Sequence, residues 1–201
     1  AAFEKLRKPY VMIQPHTGNC TYNFAAADQY SVSSEIAQLA ISKKYRSFLY
    51  LFKDRDENPE KLRGFQETLL ANGIPPERIH IRIVGSADEK DSEKTFLSFI
   101  GTQNRNELYP LAVYSFEDWI SMGIVKVSRS QGFRVPEDVG VAGSSGLPEA
   151  EHCDPPLTTI QLPMRKMGNT AVEMIFEMLS AGTCRLPGIR LDVKLVKRES
   201  L

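Results

Sequence analysis

Short runs of β-branched and aromatic residues alternate with stretches of helical periodicity, and this alternation constrains the fold more than any other feature of the chain. Residues 9–13 read as a buried strand, brief, apolar and bounded by charge before and Gln14-Pro15 after, and residues 47–52, 111–115, 139–142 and 193–196 read as further strands. Residues 79–84 (I-H-I-R-I-V) alternate with period two, as an edge or half-exposed strand does. The helical stretches carry their own boundaries. Asp28 precedes Val32, Ile36, Leu39 and Ala40 as an N-cap, and Pro59 opens a helix whose stripe is Leu62, Phe65, Leu69 and Leu70. Ser86-Ala87-Asp88-Glu89 reads as a capping box for a helix packed through Phe96, Phe99 and Ile100. Two more helices follow, one through Ile120, Ile124 and Val127 to Gly132, the other from Pro163 through Met164, Met167, Ala171, Ile175 and Met178 to Gly182. Residues 18–23 read as a polar loop. Strand and helix in alternation imply right-handed crossovers, an α/β fold and mainly parallel sheets, in which ligands bind at the carboxyl ends of the strands.

Composition narrows the function. The chain has 201 residues, ample for a substantial core, and its 25 Lys and Arg balance 25 Asp and Glu. A nucleic-acid binder usually carries a basic excess, so this chain by itself is a poor grip on DNA; the basic residues near its end, Arg185, Arg190, Lys194, Lys197 and Arg198, read as a solvated face. No apolar run approaches the roughly 18 residues a membrane helix needs, and the first residues lack the apolar core of a leader. Three widely spaced cysteines fit a reducing cytoplasm better than a disulfide framework.

Catalytic patterns fail in turn. There is no phosphate loop, no dinucleotide fingerprint and no nucleophile elbow. Gly143-Ser144-Ser145-Gly146 follows a strand as a nucleophilic turn does, yet none of the three histidines stands in sequence as its base. His152-Cys153-Asp154 cannot turn three adjacent side chains onto one ion. Glu117-Asp118 could serve as an acid–base pair, although adjacent acids after a strand more often cap the next helix. The methionines of the last helix read as core or interface packing. The expectation is a protein that is not an enzyme and needs no cofactor or metal.

The second half of the chain carries more specific information. Val135-Pro136-Glu137-Asp138-Val139-Gly140-Val141-Ala142-Gly143 is followed by Pro155-Pro156-Leu157-Thr158-Thr159-Ile160, then Pro163, Met167-Gly168 and Ala171. This succession closely resembles the effector domain of the lactose/galactose-repressor (LacI/GalR) family. Leu62-Arg63-Gly64-Phe65 matches that family's R-L-x-G-F helix, and Ala112-Val113-Tyr114 with Asp118 and Gly123 matches its A-I-F-x-x-N-D-x-x-A-x-G segment. Tyr45-Arg46-Ser47-Phe48 stands where the family has G-H-R-R-I, and the last residues, Leu195-Val196-Lys197-Arg198-Glu199-Ser200, resemble its closing strand.

The resemblance implies a two-lobed, periplasmic-binding-protein-like sandwich with an incomplete N-terminal lobe. Residues 8–44 and 159–183 would form the N-terminal lobe, and residues 45–158 and 184–200 the C-terminal lobe. It further implies a bacterial transcriptional regulator in which a sugar-like effector, bound between the lobes, changes lobe geometry and hence DNA binding. The family's DNA-binding head has no counterpart here, so operator DNA would be contacted only through that missing part. A homodimer is expected, with residues 147–153 at its twofold interface against the alternative of a solvated loop. The positions matching the family's ligand contacts are Gln14, Lys61, Ala87, Glu117 and Ser145. Each departs from the family residue: Gln14 and Ser145 replace Asp, Lys61 replaces Arg, Glu117 replaces Asn and Ala87 an aromatic. Arg and Asp contacts are geometry-specific, so the five changes imply a different effector, a weakened pocket, or neutral drift. A solute-binding protein of a sugar ABC transporter is the alternative with the same architecture.

Overall fold

A computed structural model describes residues 8–15, 22–53, 59–85 and 89–201. In chain order these hold β1 (Met12–Ile13), β2 (Phe24–Ala27), α1 (Gln29–Ser42), β3 (Ser47–Lys53), α2 (Glu60–Ala71), β4 (Ile79–Val84), α3 (Glu89–Gly101) and α4 (Arg105–Leu108). They continue with β5 (Leu111–Ser115), α5 (Asp118–Ser130), β6 (Val139–Ala142), β7 (Thr159–Gln161), α6 (Met164–Ala181), β8 (Ile189–Leu191) and β9 (Lys194–Val196).

The larger sheet is parallel throughout, in the order β4-β3-β5-β6, with the half-exposed β4 at its edge as its period-two pattern requires. Its inner strands alternate between two cores. Leu49 and Leu51 of β3 join Val113, Phe96, Phe99, Ile120 and Ile124 beneath α3 and α5. Phe48 and Tyr50 turn the other way, onto Val32, Ile36, Phe65 and Tyr114 beneath α1 and α2. Tyr50, Phe65 and Tyr114 pack ring against ring at 5.2–6.1 Å, each pair adding about 0.5–1.5 kcal/mol beyond simple burial. The Tyr114 hydroxyl lies 2.9 Å from Ser33 Oγ, which satisfies the one polar atom each would otherwise bury unpaired.

The smaller sheet, also parallel, runs β1-β2-β8, with α6 packed on it through Met167, Ala171 and Met174. The strand β2 was not expected: its sequence, F-A-A-A, lacks the β-branched residues that mark a strand. It is fully buried between two neighbours under α6, where small side chains fit and larger ones do not. The strand β8 likewise escapes local pattern, being three residues that pair with β2 across more than 160 positions. An antiparallel pair, β7 with β9, completes the set.

The chain passes between the two sheets at 27–29, at 161–164 and at 191–194. Three boundaries differ from the sequence-based division, one being residues 159–161, assigned there to the N-terminal lobe yet paired with β9 and packed through Ile160 in a core of the larger sheet. Helix α1, assigned there to the N-terminal lobe, buries Val32, Ile36, Ala37 and Ala40 against the larger sheet, starting at an Asp28 whose carboxylate accepts the Ser31 N–H at 3.0 Å. Residues 189–191, assigned there to the C-terminal lobe, are instead hydrogen-bonded into the smaller sheet beside β2. The expected stripe of the last helix shifts as well: Met167, Ala171, Met174 and Met178 are buried, while Met164 is 62% exposed. The expected capping box at residues 86–89 falls largely outside the described residues.

Gly64 sets how closely α1 and α2 approach. A Cβ built there would collide with the Tyr30 carbonyl oxygen and reach 3.0 Å from its carbon, both backbone atoms of α1. Gly64→Ala is therefore expected to destabilise the fold by about 1–3 kcal/mol, measured as a lower urea midpoint with unchanged slope. A midpoint equal to or above that of the unsubstituted protein would contradict this packing.

Candidate functional site

At the carboxyl end of the larger sheet, two hydroxyls stitch the strand ends together. Ser115 Oγ, on the last residue of β5, donates to the Glu117 carbonyl at 2.6 Å and lies 2.7 Å from Ser121 Oγ. Ser121 in turn donates to the Ala142 carbonyl at the end of β6, at 2.8 Å. Ser115, Ser121 and Ala142 are buried, so the ends of β5 and β6 are tied away from solvent.

The central group is Asp118, the first residue of α5 and fully buried. Its Oδ1 accepts the Ser145 N–H at 3.0 Å and the Thr159 hydroxyl at 2.6 Å, and its Oδ2 accepts the Leu147 N–H at 2.8 Å. A buried carboxylate is tolerated only when donors replace its lost water, and these three, with the amino end of α5, supply that replacement. The carboxylate leaves no room for a side chain at residue 143, where a Cβ would fall onto Asp118 Oδ1; only Gly143 fits. The pair Glu117-Asp118 is thus no acid–base couple: Asp118 is spent on structure.

Lys61 reaches this turn from the first helical turn of α2. Its ammonium donates to the Phe116 carbonyl at 2.9 Å and to Ser144 Oγ at 3.1 Å. Ser144 also donates to the Phe116 carbonyl. A cation in the first turn of a helix opposes the helix dipole, and the two oxygen acceptors offset that cost. The Ser144 hydroxyl is buried and donates to a carbonyl, so it is engaged in structure.

Three of the residues singled out from sequence are thereby brought together. Lys61, Glu117 and Ser145 stand on α2, on the β5–α5 turn and on the turn after β6, all at the carboxyl ends of neighbouring strands. Glu117, half-buried, immediately precedes α5, and Ser145 Oγ accepts the Asp118 N–H at 3.3 Å. Gln14 lies apart from them, at the carboxyl end of β1 in the smaller sheet, with φ +48°. Its side-chain oxygen accepts the Ala27 N–H at 2.8 Å, tying the ends of β1 and β2. Ala87 lies outside the described residues.

Two features had no sequence signal beyond residue type. One is the Asp118–Thr159 contact, which joins residues 41 positions apart. The other is an ion pair in which both guanidinium nitrogens of Arg190 reach the carboxylate of Glu60, at 2.6 and 2.7 Å. Arg190, read from sequence as part of a solvated basic face, is instead engaged here, and Arg185 lies over the Tyr22 ring at 4.4 Å. Among the described residues no three potential metal ligands converge, and no helix is long and apolar enough to cross a membrane.

Two parallel sheets between which the chain crosses three times, with polar side chains gathered at the strand ends, define the periplasmic-binding-protein-like class. The chain belongs to that family: the periplasmic binding protein-like domain matches residues 37–201. Within it, the chain corresponds to the effector-binding domain of LacI-family regulators. It is 29% identical over 142 residues to the transcriptional repressor PurR of Photobacterium profundum, covering 71% of this chain and 41% of that protein. It is 23% identical over 210 residues to the regulator MalR of Clostridium butyricum, covering 99% and 59%. Among solved structures, a LacI-family regulator of Enterococcus faecium with bound ribose superposes with TM-score 0.79 at 17% identity, covering 98% of this chain and 72% of that one. The chain therefore spans between about two-fifths and three-fifths of the length of these two curated relatives. Those relatives are regulators rather than enzymes.

Asp118→Asn replaces one acceptor oxygen by an NH2 facing the Leu147 or Ser145 N–H. The expected loss is about 2–3 kcal/mol of stability, the penalty for stranding buried donors, read from urea unfolding. A loss below about 0.5 kcal/mol would show that water replaces the carboxylate.

Proposed function

We propose that this chain is the effector-binding and dimerisation domain of a transcriptional regulator, with operator DNA contacted by a part of the protein outside this sequence. The observation that carries this reading is the gathering of Lys61, Glu117 and Ser145 at the carboxyl ends of the strands, the positions that match the family's ligand contacts. Gln14, from the smaller sheet, and Ala87 complete the proposed lining. The ribose bound by the Enterococcus faecium regulator supports a sugar or sugar derivative as the ligand class. The names of the curated relatives favour a regulator over a transporter's solute-binding protein.

The charges refine the ligand. Lys61 beside the amino end of α2 favours an anionic or hydroxyl group, since both present positive charge. Glu117 favours an amine or several hydrogen-bond donors. A neutral hexose would desolvate Glu117 without a cationic partner, an unfavourable exchange.

Dimerisation is proposed through α5 and residues 147–153. Trp119 is 49% exposed there, beside a surface pocket of about 460 Å³ shared with Met122, Val125 and Cys153. Large aromatics are costly to leave in water and are enriched at protein interfaces.

Calorimetry on the full-length protein with neutral sugars, amino sugars and sugar phosphates tests the ligand. Glu117→Gln is expected to weaken amino-sugar binding about tenfold or more with the fold intact. Tight binding of a neutral hexose, unaffected by that substitution, would refute the assignment. For the interface, Trp119→Glu is expected to shift sedimentation from dimer towards monomer; an unchanged dimer would place the interface elsewhere.

A further inference from the structure

The Glu60–Arg190 pair joins the two sheets. Glu60 is the first residue of α2, which packs on the larger sheet, and Arg190 is the middle residue of β8 in the smaller one. The contact is fork to fork, with Nη1 at 2.7 Å from Oε2 and Nη2 at 2.6 Å from Oε1. Bidentate geometry of this kind is the strongest form of the Arg–carboxylate contact. The Glu60 side chain is 16% exposed and that of Arg190 42%, so the pair is only partly open to solvent and salt.

Its surroundings hold it in place. The guanidinium lies 5.6 Å from the centre of the Phe24 ring on the adjacent strand. Hydrogen bonding to Glu60 raises the Arg190 pKa, and the charges of Glu60 and then Asp28 add to the effect. Asp28 caps α1 and donates its N–H to the Leu191 carbonyl at 2.8 Å, so the pair stands beside two of the three crossovers. On the other side, the next residue after Glu60 is Lys61, whose ammonium is fixed on the Phe116 carbonyl. Besides Glu60, the charge that acts on Arg190 is thus that of Asp28, from α1.

A rotation of the sheets about the crossovers changes the distance between α2 and β8. Resting on the ligand-binding reading above, we propose that Glu60 and Arg190 form a latch that holds the two sheets together and sets the fraction of molecules competent to bind ligand. They are positioning residues that touch no ligand; their effect reaches it through the placement of Lys61. A ligand binding only the closed form gains apparent affinity in proportion to the closed fraction. A partly exposed bidentate pair is expected to shift that fraction about two- to fivefold.

The test uses the full-length protein with Cys20, Cys153 and Cys184 replaced by Ser and spin labels at Lys166→Cys on α6 and Gln131→Cys beyond α5. Pulsed EPR without ligand is expected to give a broader, longer distance distribution for Arg190→Gln and for Glu60→Gln. The swapped double variant, Glu60→Arg with Arg190→Glu, is expected to return towards the original distribution, which a merely structural role would not produce. Sugar affinity, where calorimetry detects any, is expected to fall about two- to fivefold in the single variants and to recover in the swap. Distances unchanged in both single variants would overturn the latch, as would weakened binding with unchanged distances. Altered distances in a protein that binds none of the sugars would leave the latch standing and refute the ligand assignment.

Discussion

A single buried carboxylate organises the binding end of the larger sheet. Asp118 takes hydrogen bonds from the turn after β6 and from β7, so two segments distant in sequence are drawn to the start of α5. The energetic asymmetry of burial enforces this arrangement. A satisfied buried charge costs little, whereas one missing donor costs more than most single contacts return. Once Asp118 is fixed, the preceding residues are fixed as well. The Phe116 carbonyl then faces Lys61 and Ser144, and Glu117 is held half-buried at the mouth of the turn. Charged groups that would serve a ligand therefore stand on a framework that leaves them little freedom to rearrange.

Apolar packing and polar contacts divide the work. The larger sheet is filled on both faces, with Phe48, Tyr50, Phe65 and Tyr114 beneath α1 and α2 and phenylalanines among aliphatic chains beneath α3 and α5. The smaller sheet is thinner, with alanines under methionines. Methionine follows irregular small-residue surfaces well, which suits a strand of three alanines. Rigidity is accordingly concentrated on the side that carries Lys61, Glu117 and Ser145.

How much of this was legible in the sequence depended on the range of the interactions involved. Helices announced themselves through local chemistry: the Asp28 cap, Pro59 before α2 and the stripes of α5 and α6 all rest on neighbours within a few residues. The strands β3, β5 and β6 were visible because a strand buried on both faces is apolar throughout. The strands β2 and β8 were not, because their existence depends on each other and on α6, and neither F-A-A-A nor I-R-L favours a strand alone. Likewise, family motifs placed Lys61, Glu117 and Ser145 in one region, yet could not show that Asp118 supports it. A buried acid and a helix-capping acid have the same letter. The lobe assignment of α1 went astray because chain order places it next to the smaller sheet, while its apolar face matches the larger one.

The pairing of β2 with β8 also orders events during synthesis. The four strands of the larger sheet all lie between residues 47 and 142, so they can pair with one another while the remainder of the chain is still being made, and only the flank of β6 waits for Ser200 and Leu201. The smaller sheet has no such autonomy. Asn23 waits for Cys184 and Leu186, its side-chain partners, and β2 for residues 189–191. Until those residues emerge, a strand of bare alanines and its unpaired backbone stay open to other chains. The late return of β8 keeps β2 without its second neighbour until the chain has been made as far as residue 191.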